Sequence, residues 1–305
     1  MDSPAFPVSE RRISAALARI AYLEGSVRIA SRDLSGMECL VACNLGLYGV
    51  SRSGEVRRIL YGFFHGIRHH GDHLLLFEIG DRPRLLNHYG RILRIPLHGA
   101  RIGEPEILVT GLHNRCHQLA EFDGKINLVD TYHQTIPRFT LDGAPIDTIA
   151  PFPYTAGDEP EGDYYHVNCI AAIGERIGLM LHNGKFSKPS EVAWFDRSWN
   201  ALEREPVQGY GCHDIVEDEA GTIWHCGSMD GELINSDGLR HKVTDRMTRG
   251  LAITGEKIVV GVCTFGSREV RDNFTGTILF LDRRFNQLAD VLVPSAPMDL
   301  VLLQT

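Results

Sequence analysis

The sequence lacks a run of about eighteen apolar residues that could cross a bilayer, and its start, MDSPAFPVSERRISAALARI, lacks the long apolar core of a secretory leader. It lacks a basic stretch: the densest runs are Arg11-Arg12 and Arg57-Arg58, and the net charge is −8 with a pI near 5.9. Too little positive charge is gathered anywhere to neutralise phosphates, which excludes a nucleic-acid partner. The seven cysteines are odd in number and form no CxxC pair, so no disulfide framework is expected. Missing too are a GxSxG nucleophile elbow, an HExxH helix, a P-loop and a strand–GxGxxG–helix unit. These absences leave a soluble, cytoplasmic protein of the reducing compartment whose partner is a small molecule. Oligomeric state is not encoded in any of them.

Present instead is a repeat. Five segments share a polar residue, one spacer, Ile or Leu, a turn and an apolar strand: His65-Gly-Ile67, His117-Gln-Leu119, Asn168-Cys-Ile170, His213-Asp-Ile215 and Arg249-Gly-Leu251. Self-similarity at roughly 35–50 residues marks a propeller or solenoid. Between them lie short strands punctuated by Gly, Asp and Asn turns (FDGK, LDGA, MDGE, SDGL), the pattern of an all-β domain. At 305 residues and 43% hydrophobic, the chain has ample material for a core. Residues 9–23 stand apart: Ile13, Leu17, Ile20 and Leu23 recur at helical spacing behind Ser9 as a cap, which predicts one amphipathic helix.

The expected fold is therefore an all-β, six-bladed β-propeller over residues 26–305, preceded by a helical segment over 1–25. The blades fall at about 26–60, 61–108, 109–161, 162–206, 207–246 and 247–305, with DLVLL as the last strand of the sixth. A five-bladed ring with an added N-terminal piece is the alternative. Insertions at 149–163, 184–190 and 267–275 are read as loops over one rim, where pockets form.

In strand order and punctuation, residues 26–300 resemble the six-bladed propellers of the gluconolactonase, strictosidine-synthase and paraoxonase superfamily. ECLVACNLGLYGVSRSGEVRRIL is similar to their first-blade pattern, FHGIRHHGDHLLLFE to the His-Gly-Ile opening of paraoxonases, and NCIAAIGERIGLMLHN to an Asn-x-Ile strand that supplies a metal ligand. HDIVEDEAGTIW resembles the strand opening of gluconolactonase-like blades. The resemblance implies calcium held by Glu, Asn and Asp, for which Glu24, Asn168 and Asp214 are the counterparts here. The histidines at 65, 117 and 213 depart from that pattern and put calcium in doubt.

In a propeller the same register of successive first strands projects toward one point. His65, His117, His213 and Asn168 are accordingly the expected metal ligands, with His166, two residues before Asn168, as a fourth imidazole or catalytic group. Neutral imidazole suits borderline metals, so the expected cofactor is a divalent metal, iron or copper first, zinc or calcium as alternatives. Arg249 is the expected catalytic and substrate-anchoring cation for an acidic group, and Tyr165 an expected substrate contact. The competing reading is a histidine latch repeated by duplication. His133 and His182 end second strands and are read as structural turns. Cysteines 116, 169 and 212 are read as small buried hydrophobes.

Three functions follow. A His-rich mononuclear centre on the axis would favour oxidative, oxygenase-type chemistry on a small acidic substrate. A metal-dependent hydrolase or lactonase is the second, with His65 or His117 as base. The third is a non-catalytic binding platform.

Overall fold

The computed structural model describes residues 8–80, 87–152, 165–183, 188–266 and 274–303, with side chains from residue 12 onward. Its strands form one five-stranded and five four-stranded antiparallel sheets, the blades of a six-bladed β-propeller. No described helix is long and apolar enough to cross a membrane. The expected rim insertions lie largely outside the described residues.

The chain divides into two compact units. The first comprises residues 1–114, 249–252 and 256–305; the second comprises 115–248 and 253–255. In the first unit, blade two runs from Phe63–His70 to Glu106–Leu112, a few residues beyond the expected boundary at 108. Blade one corrects the sequence reading. Its order is Arg28–Ile29, Val56–Tyr61, Gly46–Val50, Cys39–Cys43 and then Pro297–Leu302. The strand expected to end blade six instead pairs with Cys39–Cys43, Val41 opposite Leu300. Blade six closes with Gln287–Val293.

In the second unit, blade three spans Cys116–Phe122 to Pro145–Ile149, blade four Val167–Ile173 to Ala201–Pro206, and blade five His213–Glu217 to Arg240–Lys242. The cores lie between neighbouring blades. Val129, Ile136, Ile170, Leu179 and Phe195 fill the space between three and four, while Met180, Trp194, Ile215 and Ile234 join four to five. A strand covered on both faces has no polar side, which is why Cys39–Cys43 is buried throughout, while the outermost Ala201–Pro206 is exposed throughout.

The turns show why the repeat reads so clearly. Asp196 Oδ1 accepts from the backbone N–H of Ser198 (2.8 Å) and Asn200 (2.9 Å), and Asp282 does the same for Arg284 and Asn286. Asn235 Oδ1 accepts from Asp237 and Leu239 in the equivalent turn of blade five. A short Asx side chain substitutes for a missing ladder partner and so fixes the hairpin.

The helix spans Val8–Leu23, one residue earlier than expected, so Ser9 lies inside it. Its apolar stripe points the other way from the prediction: Ile13, Ile20 and Leu23 are exposed, while Ser14, Ala18 and Ala21 are buried. Small residues let the helix approach closely. Tyr22 lies over Gly80, where a Cβ would sit 2.2 Å from the ring, and under the Arg91 guanidinium, 5.2 Å from the ring centre. Arg91 in turn donates to Glu78 (2.7 Å) and to the Ser26 carbonyl (2.8 Å), with both charged groups buried.

Candidate functional site

The first strands of the blades share a feature that alternation alone does not predict. In blade two, Phe64 pairs with Glu78 and Gly66 with Phe77, leaving His65 as an extra residue. In blade four, Val167 pairs with Leu181 and Cys169 with Met180, leaving Asn168. The register also slips between Cys116 and Leu119 in blade three and between His213 and Val216 in blade five. Each slip is a β-bulge, a device that re-aims side chains and is enriched beside active sites. Two backbone outliers accompany them, His166 with φ 50° and Asp214 with φ 65°. Non-glycine residues held there cost on the order of 1–3 kcal/mol, and such strain clusters at functional sites.

In the second unit the first strand of blade four packs between those of blades three and five. Gln118, Asn168 and Asp214 lie at these bulges and are all buried. Gln118 Nε2 donates to Asp214 Oδ1 at 2.7 Å, from blade three to blade five. Asn168 Nδ2 donates to the Cys212 carbonyl at 3.0 Å, two residues before Asp214. That leaves the amide oxygens Asn168 Oδ1 and Gln118 Oε1, both buried and both accepting no hydrogen bond. A buried acceptor without a donor costs about 1–3 kcal/mol. Amide and carboxylate oxygens of this kind are the donors a hard divalent cation takes.

Beside this set four imidazoles are in series. His117 meets His166 edge-on at 5.6 Å between ring centres, His166 stacks on His182 at 4.8 Å and 11°, and His182 meets His213 edge-on at 4.7 Å. His182, read from the sequence as a structural turn, is thus one of the two inner members of the series. Their hydrogen bonds set the tautomers. Thr131 Oγ1 donates to the Val167 carbonyl (2.6 Å), so it accepts from His117 Nδ1–H (3.0 Å), and the Arg115 carbonyl is a second acceptor at 3.0 Å. His117 Nε2 therefore carries the lone pair. His182 Nε2 donates to the Cys212 carbonyl (2.8 Å) and lies against Asn168 Nδ2, and His213 Nδ1 lies 2.8 Å from Ser228 Oγ.

The expected imidazole-bound metal gains no support from these residues. Among the described residues, no three of His65, His117, His166, His182 and His213 bring ring nitrogens within 4.8 Å of one another. One nitrogen each of His117, His182 and His213 is tied to a hydroxyl or carbonyl, and iron, copper and oxygenase chemistry gain no support. His65 is buried in Phe63–His70 and Arg249 in Met247–Ile253, both in the first unit. Glu24 is exposed and paired with Arg28 at 2.8 Å, which removes it as a calcium counterpart. The thiols behave as small hydrophobes: burial pushes Cys212 up to about 12 and Cys116 and Cys226 well above the usual range. His133 pairs with Asp130 Oδ2 at 2.7 Å in a tight turn.

No family model and no curated protein sequence matches the chain. Solved structures do. The chain is similar to a structure in a nidogen/laminin complex (10% identity, TM-score 0.62, 88% of this chain and 98% of that one). It is also similar to a putative gluconolactonase (11%, TM-score 0.54, 90% and 89%) and to streptogramin B lyase (11%, TM-score 0.50, 92% and 88%). At such identities the likeness is one of fold.

Proposed function

We propose that the second unit holds the active site of a divalent-cation-dependent hydrolase acting on a lactone or ester. The observation that carries this reading is the pair of buried, unbonded amide oxygens, Asn168 Oδ1 and Gln118 Oε1, where Gln118 bonds the Asp214 carboxylate and Asn168 the Cys212 carbonyl two residues before it. These three side chains would hold a calcium- or magnesium-like ion. Once bound there, such an ion polarises a carbonyl oxygen. His117 is fixed by Thr131 with Nε2 unprotonated, the state needed to take a proton from the attacking water. His166, the half-buried member of the series, is the group that meets substrate; the proton taken up by His117 goes on to the leaving oxygen as the acyl C–O bond breaks.

The fold likeness to a putative gluconolactonase supports hydrolysis, and that to streptogramin B lyase supports elimination from the same base. The test is calcium and magnesium titration by calorimetry, together with a panel of lactones and aryl esters. One divalent ion should bind with wild-type protein and fail to bind when Asn168→Ala and Gln118→Leu are combined. His117→Ala should cut turnover by about 10²–10⁴, the usual contribution of a positioned base. An unsaturated product in place of added water would assign a lyase. Neither ion binding nor turnover would return the propeller to the role of a binding platform.

A further inference from the structure

Blade four carries a concavity along one end of its strands. It is a groove of about 380 Å³ lined by Tyr165, Asn183, Lys188, Glu191, Arg204 and Pro206 among others, within the range of small-ligand sites. Its lining follows the sheet from inside to outside: Tyr165 precedes Val167–Ile173, Asn183 follows Arg176–Leu181, Glu191 opens Glu191–Asp196 and Pro206 ends Ala201–Pro206. Two of these residues are the chain neighbours of the imidazole series, Tyr165 of His166 and Asn183 of His182. The groove therefore starts beside the proposed reacting centre and runs outward.

Its charge is mixed but positive on balance, Lys188 and Arg204 against Glu191. Arg204 does not hang loose. Its guanidinium lies 4.5 Å from the Tyr165 ring centre and 5.4 Å from that of Phe152, and those rings pack 4.8 Å apart. Stacking holds the planar cation in place and leaves its N–H edge for an acceptor. Glu191 Oε2 is 3.8 Å from Arg204 Nη1, too far for a hydrogen bond, so that edge is not consumed. The backbone N–H of Tyr165 donates to Gln134 Oε1 at 2.6 Å, which anchors the aromatic floor to blade three.

We infer that this groove is the subsite for a carboxylate on the substrate, bound by Lys188 and Arg204 with its hydrocarbon portion against Tyr165 and Pro206. The substrate class is then a small organic acid bearing the hydrolysable group at its other end. This deepens the reading of the neighbouring side chains as an active site and rests on it, although the binding itself does not require turnover.

Calorimetry with 3-phenylpropionate and 3-phenylpropionamide as probes tests it on the full chain. The carboxylate should bind about tenfold or more tighter than the amide, the difference expected of a charge-assisted pair. Arg204→Met and Lys188→Met should each weaken the carboxylate about tenfold, and Glu191→Gln should tighten it. Arg204→Lys keeps charge without the stacked plane and should fall between wild type and Arg204→Met. Melting curves confirm that each variant is folded. His117→Ala should leave probe binding unchanged while cutting turnover by about 10²–10⁴, so loss of the enzyme reading and loss of the subsite are separately visible. Equal binding of acid and amide, a preference that survives the double Lys188→Met, Arg204→Met change, or no binding of either probe would overturn the inference.

Discussion

Gln118 and Asp214 are 96 residues apart in the chain, and their side chains meet at 2.7 Å with both residues buried. The bond joins two blades across the first strand of a third, and Asp214 holds a left-handed backbone conformation to make it. A buried carboxylate keeps such a bond or loses stability. Gln118→Leu should destabilise the protein by about 1–3 kcal/mol in urea unfolding, whereas Gln118→Glu should be worse at neutral pH and partly recover with added calcium. Recovery that is indifferent to calcium would count against the cation site.

Thr131 joins two strands by giving its proton to Val167 and taking one from His117. Thr131→Val keeps the shape and removes both bonds. Turnover should fall about tenfold and stability by about 1 kcal/mol, because the Arg115 carbonyl still orients the ring. Imidazole ¹⁵N shifts of His117 report the tautomer directly; a mixed population in the variant is the expected outcome.

Glu78 is fully buried beside Arg91, and burial raises its carboxyl from 4.5 to about 7 despite that pairing. Between those values the folded state holds a proton that the unfolded chain has released, so stability declines as pH rises from about 4.5 to 7 and levels off above. Melting temperatures across this window should show the decline in wild type and lose that component in Glu78→Gln. A melting temperature that rises through the window by the same amount in both proteins would refute it.

Gly80 has room for a hydrogen and nothing more. In Gly80→Ala the added methyl would enter the Tyr22 ring, and the helix Val8–Leu23 has to lift. We expect a loss of about 1–3 kcal/mol, the cost of overpacking, with faster proteolysis between the helix and blade one. A second change, Tyr22→Ala, should restore the stability of the glycine variant relative to Tyr22→Ala alone.

Much of the architecture was legible. Strands and turns announce themselves through local chemistry, such as the Asx residues that cap their own hairpins, and the column from His65 to Arg249 marks where blades begin. What failed depends on non-local pairing. Pro297–Leu302 has the same composition whether it ends blade six or edges blade one, and only its partner Cys39–Cys43 decides. The helical period of Ile13, Leu17, Ile20 and Leu23 was readable but not the side it would present, because close packing of Ala18 and Ala21 won over burial of the larger side chains. At the site, the shared register of the repeat picked out His117 and His213 and passed over Gln118. Bulges break the alternation along a strand, since a one-residue slip turns neighbouring side chains to another face. No residue type in those strands signals a slip in advance. His182 closes a second strand and lies outside the repeated register, so nothing local tied it to His166 and His213.

Because the innermost strand of blade one comes from residues 297–302, the ribosome makes the other strands of that sheet long before their neighbour exists. Cys39–Cys43 waits through most of translation with an unpaired, wholly apolar edge, an invitation to cross-pairing with nascent chains. Chaperone demand should be governed by how soon Leu302 emerges, and a stalled or shortened transcript would yield a product that aggregates even though five of its sheets are complete.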